Sequence, residues 1–231
     1  MSLKLAVLGN PRSGTCLLSY LLATGFDIRE KYGSYYPESK SIFMYRVGME
    51  LVRMHGDSSY RCLMTIRDPR DVTTSVHPAH ATLGTFMRSF RAWVENYKIY
   101  KRVLKKGIPV FEYKYEDLVT NPAKVQAEIA EFLDLEIKCP FDQCHLVKDI
   151  DYVALDQLTF EMGGVSPLFT TSVGRWKQDK YKERIVTQLA EVPQMADYLI
   201  ELGYEQDKEW TKDYQLTEWE QDYDKWKNEN V

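Results

Sequence analysis

Near the N-terminus, Gly9-Asn10-Pro11-Arg12-Ser13-Gly14-Thr15 follows directly on the apolar run Leu5-Ala6-Val7-Leu8 and leads into Leu17, Leu18, Leu21 and Leu22. That order reads as a strand turning through glycines into a helix, which commits the chain to an α/β arrangement with a helix start at the strand's carboxyl end. The N–H groups of a helix's first turn have no intrahelical acceptor and carry roughly half a positive charge, so the turn is a cradle for an anion. Gly9 and Gly14 have the spacing of the Walker A loop, GxxxxGK[ST], but Thr15 stands where that loop has its lysine. Without the residue that reaches the β- and γ-phosphates, the cradle suits a shorter 5′ group, with Arg12 supplying the cation.

Strand and helix patterns then alternate, which predicts an α/β fold: a single domain with a central parallel sheet flanked by helices, of the P-loop nucleotide-binding type. Strands are expected at 4–8, 51–56, 61–66 and 108–113, and helices at 14–23, from Asp68-Pro69 onward, and at 86–104, 122–133 and 192–202. The polar and aromatic stretch 26–41, with Tyr32, Tyr35 and Tyr36, reads as a long functional loop, and 135–172 as irregular and lid-like. The domain is expected to span 1–204. The acidic tail 205–231, with Trp210, Tyr214, Trp219, Tyr223 and Trp226, is expected to be helical; packing on the domain and a homodimer contact both account for its rings.

Thirty Lys and Arg against 34 Asp and Glu give a net charge of −4, so no general attraction to nucleic acid or to an anionic membrane is expected. No run has the length of a membrane span, and the start resembles no signal peptide. Cys16, Cys62, Cys139 and Cys144 are dispersed and lack the spacing of a zinc site, so they read as reduced thiols in a cytoplasmic protein without a metal.

Four stretches, in order, resemble the sulfotransferases that use 3′-phosphoadenosine 5′-phosphosulfate (PAPS). Pro11-Arg12-Ser13-Gly14-Thr15 is similar to their 5′-phosphosulfate loop, and Ile66-Arg67-Asp68-Pro69-Arg70-Asp71-Val72-Thr73-Thr74-Ser75 to their 3′-phosphate motif. Tyr113 to Pro122 and Val173-Gly174-Arg175-Trp176-Lys177 complete the set. The resemblance implies transfer of a sulfuryl group from PAPS to a hydroxyl or amine of a small-molecule or carbohydrate acceptor, leaving the product PAP (adenosine 3′,5′-bisphosphate), with no metal. It assigns Arg12, Ser13, Gly14 and Thr15 to the 5′ end, Arg67 and Ser75 to the 3′-phosphate, Tyr115 to adenine, and Gly174 and Arg175 to a loop closing over the nucleotide. Arg12 would also offset charge on the leaving phosphate, and His55 would be the base, with Glu50 as the carboxylate alternative.

Beside these implied roles stand plainer readings. Arg67 also suits a surface salt bridge to Asp68 or Asp71. Ser75, about two turns into the helix after Pro69, suits either an anion shared with Arg67 or a bond to its own helix. Packing explains Tyr115 as well as a base contact does. Arg70 and Asp71 read as structural, and Glu116 and Asp117, on an extended chain, point oppositely. Where the family has a basic Arg-Lys-Gly clamp, this chain has Phe169-Thr170-Thr171, leaving Arg175 or Lys177 as replacements. A degenerate P-loop nucleotide kinase or NTPase, or a non-catalytic nucleotide- or sugar-binding module, remains an alternative.

Overall fold

The computed structural model describes residues 4–26, 29–30, 41–44, 60–76, 86–105, 107–147 and 164–215. Its strands are β1 (Lys4–Gly9), β2 (Arg29–Glu30), β3 (Ser41–Met44), β4 (Tyr60–Ile66) and β5 (Val110–Lys114). They form one sheet of order β2-β3-β1-β4-β5, and every pairing is parallel. The helices are α1 (Thr15–Gly25), α2 (Pro69–Thr73), α3 (Phe90–Leu104), α4 (Tyr115–Thr120), α5 (Pro122–Leu133), α6 (Lys182–Glu191) and α7 (Met195–Glu201).

Alternation along the strands sends neighbouring side chains to opposite faces of the sheet. Ala6 and Leu8 of β1, with Cys62, Met64 and Ile66 of β4, pack against Phe90, Trp93, Tyr97 and Tyr100 of α3 and against Ile185, Leu189, Met195 and Leu199. Leu5, Val7 and Leu63 pack on the other face against Leu18, Leu21 and Leu22 of α1 and Val125, Ile129 and Leu133 of α5. A parallel sheet buried on both sides by helices is the expected architecture. Among the described residues, no helix is long and apolar enough to cross a membrane.

Several boundaries differ from the sequence-based expectation. The helix after Asp68 is only α2, because the Thr73 and Thr74 hydroxyls both donate to the Arg70 carbonyl and Arg184 Nε takes the Thr73 carbonyl. Ser75 therefore lies beyond the helix rather than two turns into it. Phe86 forms an isolated bridge with Val76, and α3 starts at Phe90, where the Ser89 hydroxyl accepts the Ala92 N–H and Gln188 accepts the Phe90 N–H. Both β3 and α6 escaped the sequence reading, and the strand expected at 51–56 lies outside the described residues. Asp68-Pro69 and Asn121-Pro122 begin helices as expected, each with the cap side chain accepting a first-turn N–H.

Gly25 closes α1 against the turn that carries Phe141. A Cβ there would lie 2.7 Å from the Phe141 ring and 3.0 Å from Gln126 Nε2, and Gln126 is itself fixed on the Cys139 carbonyl and the Phe141 N–H. Ala in place of Gly in an ordinary helix gains about 0.5–1 kcal/mol, but overpacking costs about 1–3 kcal/mol. Gly25→Ala is therefore expected to lower the urea midpoint; an unchanged or raised midpoint would show that the Phe141 contact yields.

Candidate functional site

The sheet order creates a switch point. From β1 the chain passes to β2 and β3 on one side, and from β4 to β5 on the other, so a crevice opens beyond the carboxyl ends of β1 and β4. The register pairs Gly9 with Thr65, so the loop after β1 and Arg67 after β4 emerge side by side.

The loop folds back tightly. Ser13 N–H donates to the Asn10 carbonyl at 2.9 Å, and both Arg12 (φ 73°) and Gly14 (φ 98°) are left-handed. Positive φ at a non-glycine residue stores about 1–3 kcal/mol, which the surrounding contacts must hold in place. A Cβ at Gly9 would lie 2.6 Å from Ser13 Oγ, and one at Gly14 would lie 2.5 Å from the Tyr115 ring, so both glycines permit a close approach. The α1 ladder begins with Leu18 N–H on the Gly14 carbonyl, which leaves the Thr15, Cys16 and Leu17 N–H groups ahead of it.

Arg67 is 6% exposed and reaches into the crevice. Nη1 donates to the Arg12 carbonyl at 2.8 Å and Nη2 to the Ser172 carbonyl at 2.7 Å, and the guanidinium lies 4.3 Å from the Tyr115 ring centre. Arg12 Nε donates to Ser75 Oγ at 3.2 Å. The Arg67 Nε and Ser13 Oγ atoms are buried without a hydrogen-bond partner, a costly state for polar groups.

Arg12, Gly14, Thr15, Arg67, Ser75, Tyr115 and Arg175 line one cleft, whose other wall is apolar, with Leu17, Tyr20, Leu21, Phe141 and Leu168. The cleft thus joins a cationic end to a greasy one. Ser13 and Gly174 support it from behind: Gly174 has φ 70° and donates its N–H to Asp71. His55 and Glu50 lie outside the described residues. Lys177 stands 5.6 Å from the Trp176 ring centre.

Arg67 forms a salt bridge with neither of the acids that the sequence offered it. Asp68 pairs with Arg70 rather than Arg67, and Asp71 accepts the Gly174 and Trp176 N–H groups. Tyr115 opens α4, so Glu116 and Asp117 are helical, not extended; Glu116 turns inward to the Asp68 N–H and the Tyr204 hydroxyl, and Asp117 is exposed. Ser172 was missed: its carbonyl holds Arg67 and its hydroxyl meets Tyr115 OH at 2.9 Å. Nothing in Thr170-Thr171-Ser172 marks it locally.

Burial, foremost, raises the Glu116 and Asp71 carboxyls above their ordinary values, with neighbouring Asp68 adding to it and the N–H donors opposing. Arg70 is 2% exposed; burial works against its charge, and Asp68 and Glu205 outweigh that.

The chain has the sulfotransferase fold. It aligns with the sulfotransferase domain from the curacin biosynthetic pathway at TM-score 0.53 and 14% identity, covering 82% of this chain and 98% of that one. It aligns with a sulfotransferase from Alicyclobacillus acidocaldarius at TM-score 0.50 and 12% identity, covering 87% and 96% respectively. No protein-family model matches the sequence, and no curated protein does.

The raised carboxyl of Glu116 fixes the sign of a pH effect. An acid whose folded pKa exceeds its unfolded value of about 4.3 holds its proton longer when folded, so stability is lost as pH rises from there through the raised folded value. Glu116→Gln keeps an acceptor for the Asp68 N–H and removes this titration. Thermal melts between pH 4 and neutrality should show a shallower decline for the variant than for wild type; parallel curves would remove Glu116 as a contributor.

Proposed function

We propose that the cleft binds PAPS and that the protein transfers its sulfuryl group to a hydroxyl or amine of a small-molecule or carbohydrate acceptor. The observation that carries this reading is that two arginines from different segments, Arg12 and Arg67, line one cleft at the switch point. Arg12 comes from the helix-start loop, Arg67 from the neighbouring strand, and Arg67 rests on the Arg12 carbonyl itself. One ligand with two anionic groups on a single ribose, and a flat, less polar base attached to that sugar, suits such a cleft with its apolar wall.

In this reading the first-turn N–H groups of α1 with Arg12, Ser13, Gly14 and Thr15 hold the 5′ end. Arg67 and Ser75 hold the 3′-phosphate, with Gly174 and Arg175 on the closing loop. Tyr115 and the apolar wall border the base. The acceptor oxygen or nitrogen attacks sulfur, a new bond to sulfur forms, the bond from sulfur to the bridging phosphate oxygen breaks, and PAP leaves. Arg12 and the helix-start dipole offset the charge appearing on that phosphate. His55 takes the acceptor's proton, an assignment that rests on the family resemblance; Glu50 is the alternative. A triphosphate enzyme would have its lysine at the position of Thr15, which disfavours the kinase reading.

A ligand that binds only the folded form raises its melting temperature. PAP is expected to stabilise the protein more than ATP with magnesium, and Arg67→Ala to lose most of that shift. Stronger protection by ATP would overturn the assignment. With labelled PAPS and an acceptor panel, His55→Ala is expected to slow transfer by about 10²–10⁴-fold while PAP still stabilises the variant; undiminished transfer would remove His55 as the base.

A further inference from the structure

Arg175 lines the cleft, yet it sits on a short 3₁₀ turn, Arg175–Lys177, that belongs to neither the sheet nor a long helix. Something else must fix it. The carboxylate of Asp71, which is fully buried, reaches across: Oδ2 accepts the Gly174 N–H at 2.7 Å and Oδ1 accepts the Trp176 N–H at 3.0 Å. The two residues flanking Arg175 are therefore held by the two oxygens of one side chain. Gly174 makes the bend with φ 70°, and no atom lies within 4 Å of where its Cβ would be, so the glycine is there for the bend rather than for space.

Trp176 completes the hold. Its ring lies 3.8 Å from the Arg70 guanidinium, and Arg70 is anchored to Asp68 and Glu205. Segment 67–71 thus aims Arg67 into the cleft directly and governs Arg175 through the backbone of another segment.

We propose that Asp71 is the positioning residue for Arg175, setting nucleotide affinity without touching the nucleotide. This deepens the sulfotransfer reading and rests on it for the ligand. Charged hydrogen bonds to backbone amides are directional and strong in a dry interior, whereas an amide in place of the carboxylate offers one acceptor and turns a donor toward the second N–H.

Asp71→Asn is expected to raise the dissociation constant for PAP and the KM for PAPS about tenfold with kcat little changed. A structural role alone would lower the melting temperature without that split. Arg175→Ala should weaken binding similarly, and the double variant should bind no worse than either single one, whereas Asp71→Asn and Ser75→Ala should combine additively. Additive loss from Asp71→Asn with Arg175→Ala, or unchanged PAP affinity in Asp71→Asn, would overturn the proposal.

If Asp71→Asn does not fold, Gly174→Ala strains the same bend with Asp71 intact and is expected to show the same non-additivity with Arg175→Ala. Amide exchange reads the clamp independently of any ligand: Gly174 and Trp176 should exchange faster in the folded variant while β4 amides do not change. Failure of wild type to bind PAP would overturn the sulfotransfer reading, and unchanged exchange at Gly174 and Trp176 would overturn the clamp.

Discussion

The parallel pairing of β1 with β4 is the constraint on which the site depends. It sets Gly9 opposite Thr65, so a helix-start loop and a strand-end arginine leave the sheet at the same level and meet within hydrogen-bonding distance. A slip of β1 by one residue would exchange its two faces, sending Leu5 and Val7 toward the wrong helices. The two apolar clusters that hold the register therefore also fix where Arg12 and Arg67 converge.

Around that pairing, segment 67–71 divides its side chains among different tasks. Arg67 turns into the cleft, Asp68 caps α2 and pairs with Arg70, and Asp71 captures the Gly174 and Trp176 amides. Arg70 lies between Trp176 and Trp210 and reaches Glu205, so residues after α7 are tied to the same segment. Trp210 and Tyr214 also pack against Trp176, at ring-centre distances of 6.0 and 5.5 Å. Buried charges persist only when each is satisfied, and removal of one partner strands the others.

Much of this was legible because it is local. A glycine-framed turn after an apolar run, Asp68-Pro69 and Asn121-Pro122 all act within a few residues of themselves, and the Phe90, Trp93, Tyr97 and Tyr100 spacing is one helix face. What was not legible depended on distant partners. The end of α2 is decided partly by Arg184 taking the Thr73 carbonyl, and the start of α3 by Gln188, both from α6. Ser172 holds Arg67 across 105 residues of sequence with a carbonyl that any residue type possesses. β3 is four residues long, and its place beside β1 comes from pairing rather than composition.

The amino-acid sequence by itself determined the α/β class, the glycine-framed turn into α1 and the helix starts at Pro69 and Pro122, because glycine spacing, proline-marked caps and apolar periodicity act over a few bonds. Only the tertiary structure decided that Ser75 meets Arg12, that Arg67 braces the loop instead of pairing with Asp68, and that Asp71 governs the turn carrying Arg175. Those contacts join segments far apart along the chain, and which donor finds which acceptor is settled by the register of the sheet and the packing of helices on it.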